Sequence, residues 1–159
     1  MNKNVIPKQL RLELLGHIFK SKQEYGIAVF GFYTLLFFGI GLLTGIVINL
    51  IFKSLKTTKD IRISPFLIGI WSAFLGAYIS SDYLYITKRA HIVVDRFILF
   101  GLVFLGFYIL SIIIGGAVSL YVKSRTQEVP SSILKASIVI FISIIGLFIA
   151  FQSIGLSIS

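Results

Sequence analysis

The run from Gly26 to Phe52 contains 27 residues and no charged side chain. About 20 apolar residues cross the hydrocarbon layer of a bilayer, so this run alone limits what the chain can fold into. Comparable runs follow at about 63–81, 97–122 and 133–158, the last free of charge after Lys135. In hydrocarbon every backbone N–H and C=O must be bonded within the protein, and helices or closed barrels do this. Runs of this length predict helices. The expected fold is an all-α membrane protein: a four-transmembrane-helix bundle in up-down order.

Composition supports that reading. Of 159 residues 57% are hydrophobic and only 13% charged, against about 25% charged in soluble domains. The net charge of +9 would suggest nucleic acid in a soluble chain. Here the bases stand at the ends of apolar runs, where they meet anionic lipid phosphates and set topology, so no nucleic-acid partner is expected. The absence of cysteine removes disulfides, thiol chemistry and thiolate metal sites.

Residues 1–25 mix bases, acids and leucines. Leu10, Leu14 and Ile18 recur at helical spacing, and Pro7 suits a first turn. This segment is expected to form an amphipathic helix lying in the interface with its bases toward headgroups, ahead of a membrane domain over 26–159. Packing of the same helix on the bundle's own loops is the alternative. The first apolar run is too long for a cleaved signal segment.

Small residues mark where helices approach closely in lipid. The candidates are Gly41 and Gly45 in the first span, Gly69, Ala73 and Gly76 in the second, Gly115 in the third, and Gly146 with Ala150 in the fourth. Ser64-Pro65 suits the start of the second helix, and Ser131-Ser132 is expected to cap the fourth. Trp71 is either a packing anchor or a lipid-facing ring. Thr34, Thr44, Asn49, Ser111 and Ser143 are expected to bond backbone or one another across helices.

Chemistry has little room. Ionisable groups within a span mark proton relays, ion paths or ligands, and none stands in the middle of these four. Both histidines, His17 and His91, lie outside the spans, so no cofactor or metal is expected. The one mixed polar stretch between spans is Asp82–Arg96, DYLYITKRAHIVVDR. Lys88, Arg89, His91, Asp95 and Arg96 are the candidate lipid-headgroup or partner contacts. His91 and Asp95 are four apart and share a face if the stretch is helical. That spacing allows acid–base chemistry on a lipid phosphate, or simply a pair that starts the third helix.

At this stretch the chain resembles the small four-helix membrane subunit of tripartite ATP-independent periplasmic (TRAP) transporters. Trp71, Phe74, Leu75, Gly76 and Ala77 match that family's second-span pattern. Lys88-Arg89 followed by His91, Ile92, Val94 and Asp95 matches its entry into the third span. The spacer from Ala77 to His91 is longer than the family's, and Ile63-Ser64-Pro65-Phe66 replaces its usual second-span entry. The resemblance implies a non-catalytic scaffold bracing a larger polytopic transport subunit. The expected function is therefore an accessory subunit of a membrane complex, most specifically a solute transporter. An accessory subunit of a respiratory or energy-transducing complex and an interfacial enzyme acting on lipid phosphates are the alternatives. The expected location is the bacterial inner membrane, with both termini cytoplasmic because the basic N-terminal flank precedes the first helix.

Overall fold

The computed structural model describes residues 8–55, 61–125 and 130–156. Pro7, Lys56, Lys59 and Asp60, and the expected end of the fourth span at 157–158, lie outside the described residues. All regular structure within them is helical: α1 Lys8–Ser54, α2 Pro65–Ser80, α3 Lys88–Arg125 and α4 Ser131–Ser153, with a 3-10 turn at Ser81–Tyr83. Three of these helices, α1, α3 and α4, are long and apolar enough to cross a membrane. With 16 residues, α2 is about 24 Å long, short of the ~30 Å hydrocarbon layer.

Several expected boundaries move. Residues 8–25 are helical, but they form the first part of α1 and not a separate helix; the chain passes Tyr25-Gly26 without a break. α3 begins at Lys88, so Lys88–Arg96 is helix and not loop. Ser131 is the first residue of α4, whose cap position is held by Pro130 with no side-chain cap bond. At the other end of α4 the chain leaves through Gly155 at φ +83°. Gly155 N–H donates to the Gln152 carbonyl and Leu156 N–H to the Phe151 carbonyl. This is the reciprocal pair of bonds that closes many helix C-termini.

The helices pack in chain order. α1 lies on α2, α2 on α3 and α3 on α4, and among the described residues no other pair of helices comes into close backbone approach. The result is an open series of antiparallel neighbours, not a four-helix ring. An apolar groove of about 410 Å³ opens between α1, α2 and α3, with Ile48, Phe52, Trp71 and Ile113 on its walls.

Glycine sets the spacing along these seams. A Cβ on Gly41 would run into the Ser72 side chain, and one on Gly45 would come within 2.6 Å of Pro65 Cα. One on Gly76 would lie 2.7 Å from the Tyr33 carbonyl oxygen, and one on Gly69 3.0 Å from the Phe38 ring. Between α3 and α4, Gly115 lies against Lys135 and Val139, and Gly146 against Phe107. Ala150 is completely buried and Ala73 half-buried. Between α2 and α3 the fit is aromatic: Phe74 fills the space over Gly101, and Trp71 Nε1–H donates to the Leu102 carbonyl at 3.0 Å. Trp71 is thus a packing anchor.

The approach to α2 is not helical. Ile61 and Ile63 lead into Pro65 in irregular backbone, yet both are buried. Asn49 of α1 satisfies this segment twice. Its Nδ2 donates to the Ile63 carbonyl at 2.6 Å, and its Oδ1 accepts from Ile63 N–H at 3.2 Å. Ile61 in turn packs on Gly116 of α3.

Two outcomes test this account. Gly41→Leu and Gly76→Leu should each lower stability by ~1–3 kcal/mol through overpacking, whereas Gly31→Ala, which faces open space, should be neutral or slightly stabilising. Thermal melts in mild detergent that fail to separate the two groups would refute the seam assignment. Asn49→Ala should cost ~1–3 kcal/mol by stranding the Ile63 amide and carbonyl, while Thr44→Ala, whose hydroxyl bonds only the carbonyl one turn back, should cost much less.

Candidate functional site

The polar stretch Asp82–Arg96 closes one end of the bundle. After α2, the 3-10 turn at Ser81–Tyr83 and an irregular link bring the chain to Lys88, and α3 starts there. This end also contacts α1. Gly26 is buried under the Tyr83 carbonyl and the Tyr85 ring, so a glycine that reads in the sequence merely as the first residue of an apolar run is the landing point of the turn.

Helical backbone puts His91 and Asp95 on one face. The His91 Nδ1 to Asp95 Oδ2 distance is 2.7 Å. The other ring nitrogen, Nε2, lies 3.1 Å from the Ser81 carbonyl oxygen and 3.9 Å from an Asp82 carboxylate oxygen. A carbonyl oxygen can only accept, so in the contact to Ser81 the ring nitrogen is the donor.

Both ring nitrogens are therefore engaged, and neither is left to take a proton from a substrate. The second Asp95 oxygen, Oδ1, is buried without a hydrogen-bond partner. Asp82 is almost fully exposed, with its side chain 90% accessible. This geometry joins the end of α2 to the start of α3; it does not form a nucleophile–base pair. Among the described residues no group of three or more His, Asp or Glu side chains is arranged to hold a metal.

Lys88, Arg89 and Arg96 are exposed around this joint. The first two stand in the opening turn of α3, which carries no acid. Bases there oppose the helix dipole at ~0.3–1 kcal/mol each, so their placement is not explained by helix stability. They form a basic surface at the edge of the apolar region. Arg96 reaches toward the end of α4, with Nη2 4.0 Å from where a Cβ on Gly155 would stand.

The structure thus brings His91, Asp95, Asp82 and the Ser81 carbonyl together and leaves Lys88 and Arg89 outward. The Ser81 carbonyl has no signal in the sequence, because a backbone acceptor leaves none. Compared with family models, with curated proteins and with solved structures, the chain gives no match.

His91→Ala should loosen the first turn of α3. The loss of one partner from a buried hydrogen-bonded group costs ~1–3 kcal/mol, and each 1.4 kcal/mol is tenfold in population. Trypsin cleavage after Lys88 and Arg89 should accelerate about 5- to 150-fold where cleavage follows local opening. Asp95→Asn should be milder, since it leaves the ring and its contact to the Ser81 carbonyl in place. Equal cleavage rates for the two variants would refute the tie between His91 and Ser81.

Proposed function

We propose that this chain is a non-catalytic accessory subunit of a larger integral membrane complex, and specifically of a solute transporter. The observation that carries the reading is the serial packing. Among the described residues α1 packs on α2 and the 3-10 turn after it, and α4 on α3, so each terminal helix keeps broad apolar faces. Leu35, Leu43 and Leu50 of α1 and Ile140, Phe141 and Phe148 of α4 are exposed. Such faces suit a partner's helices as well as lipid, and they flank a bundle in which Asn49, Trp71, Ser80 and Ser111 bond within the chain.

In this reading all four helices cross the membrane. α2 completes its crossing with the buried stretch around Ile63, whose exposed backbone groups Asn49 satisfies. Irregular backbone is tolerated at membrane depth where protein buries it. Lys88, Arg89 and Arg96 contact anionic headgroups or the partner's rim. The N-terminus, the Asp82–Arg96 joint and the end of α4 share one end of the molecule, taken as the cytoplasmic side of a bacterial inner membrane. The scaffold of a tripartite ATP-independent periplasmic transporter is the most specific form of the proposal, supported by the Trp71–Ala77 and Lys88–Asp95 resemblances.

The test is purification of the tagged chain in mild detergent with mass spectrometry of what accompanies it. A stoichiometric polytopic partner is expected. A lone monomer that carries out transport after reconstitution would overturn the proposal.

A further inference from the structure

α1 is 47 residues long, about 70 Å at 1.5 Å per residue. Gly26 of α1 lies under Tyr83 and Tyr85. Residues 8–25 extend about 27 Å beyond that point, and all but one of them are exposed. With α1 read as the membrane-crossing helix that its length and composition allow, this stretch continues the same helix and is directed away from the bilayer.

Its surface is not that of a solvated rod. Leu12, Leu15 and Phe19 are 69%, 58% and 59% exposed. Their spacing, three then four residues, continues through Lys22 to Gly26, so they extend the seam by which α1 meets the rest of the bundle. At 3.6 residues per turn, apolar side chains cover an arc of about 200°, from Leu10 through Ile18 to Leu12. Lys8, Arg11 and Lys22 lie within about 60° of one another in the middle of that arc. Lys8 and Arg11 share one surface dent with Leu12 and Leu15. Both acids of the segment, Glu13 and Glu24, fall on the opposite side, with His17 and Lys20.

This arrangement discriminates between occupants. A helix lying in a lipid surface places its bases on the polar face and its apolar face in the acyl layer. Here insertion would drive three bases in first. A second copy of the same face would set six bases against each other with no acid between them. An amphipathic helix with a leucine seam and acidic flanks matches both the apolar and the charged pattern. We infer that the Lys8–Lys22 face of α1 docks an acidic amphipathic helix, which lies along the extension beyond Tyr83 and Tyr85. The inference rests on the accessory-subunit reading only for which protein supplies that helix.

The test uses the full chain in phosphatidylcholine nanodiscs. The chain lacks cysteine, so Gly16→Cys, beside the seam and facing open space, takes a single spin label. The probes are three synthetic helical peptides with one leucine seam and glutamate, glutamine or lysine flanks. The glutamate peptide should immobilise the label and bind at least about tenfold more tightly than the glutamine peptide. Joint reversal by Lys8→Glu, Arg11→Glu and Lys22→Glu should remove that preference and favour the lysine peptide. Phe19→Ala, which keeps the charges, should weaken the glutamate peptide without changing the order.

Three results would overturn the inference: equal binding of the glutamate and glutamine peptides, transfer of the label from water-accessible to oxygen-accessible surroundings in vesicles with phosphatidylglycerol, or dipolar coupling between labelled copies. The first is a failed docking face, the second a membrane-bound segment and the third a self-association face. A chain that selects the glutamate peptide yet purifies without any polytopic partner would keep this inference and retire the accessory-subunit reading. A chain that holds such a partner but shows no peptide preference would do the reverse.

Discussion

A backbone amide buried away from water must find its partner within the protein, and the arrangement around α2 follows from that constraint. Along the long helices the helix itself supplies those partners. α2 is short, and at each side a neighbouring helix supplies a further bond. At its entry Asn49 of α1 bonds both the amide and the carbonyl of Ile63. At its exit His91 of α3 bonds the carbonyl of Ser81, while the Ser80 and Ser81 hydroxyls bond carbonyls of the last turn. α2 is thus held in its place by one side chain from the helix before it and one from the helix after it.

The same constraint gives the His91–Asp95 pair its meaning. A histidine four residues before an aspartate has the composition of an acid–base dyad. Its geometry ties the imidazole to a backbone carbonyl on one side and to a carboxylate on the other. The ring bridges the α2–α3 joint, with one nitrogen on the Ser81 carbonyl and the other on the Asp95 carboxylate. A structural role for this pair is what the hydrogen bonds describe, and it leaves the basic surface of Lys88 and Arg89 free for an outside contact.

Much of the helical content was legible in the sequence, because charge-free runs of 26 or 27 residues admit few alternatives. Small residues at helical spacing were the visible signal for close approach; a Cβ on Gly41, Gly45, Gly76 or Gly146 would meet atoms of a neighbouring helix. What could not be read was continuity. The charged residues before Gly26 and before Phe97 suggested separate segments, yet charge at the end of an apolar run does not stop a helix, and both α1 and α3 run through it. The role of Asn49 was equally hidden. Its amide was expected to bond across helices, but its partner is a residue of irregular backbone fourteen positions on, brought near only by the antiparallel return of α2. The openness of the packing was hidden as well. Small residues announce that faces meet, and nothing in their spacing says that α1 and α4 stay apart.

That openness bears on how the protein is made. Among the described residues the long helices pack in chain order, with α1 also touching the turn after α2, so no segment must wait for a distant one before it can pack. α1 can receive α2 as soon as the Pro65–Tyr83 stretch has left the ribosome, with Asn49 already in place to meet Ile63. α3 then arrives with His91 at its leading end and secures the turn that has just formed, and α4 closes onto a completed surface. Such packing allows the fold to assemble in the order in which it is translated, and contacts close in sequence are the ones that form quickly.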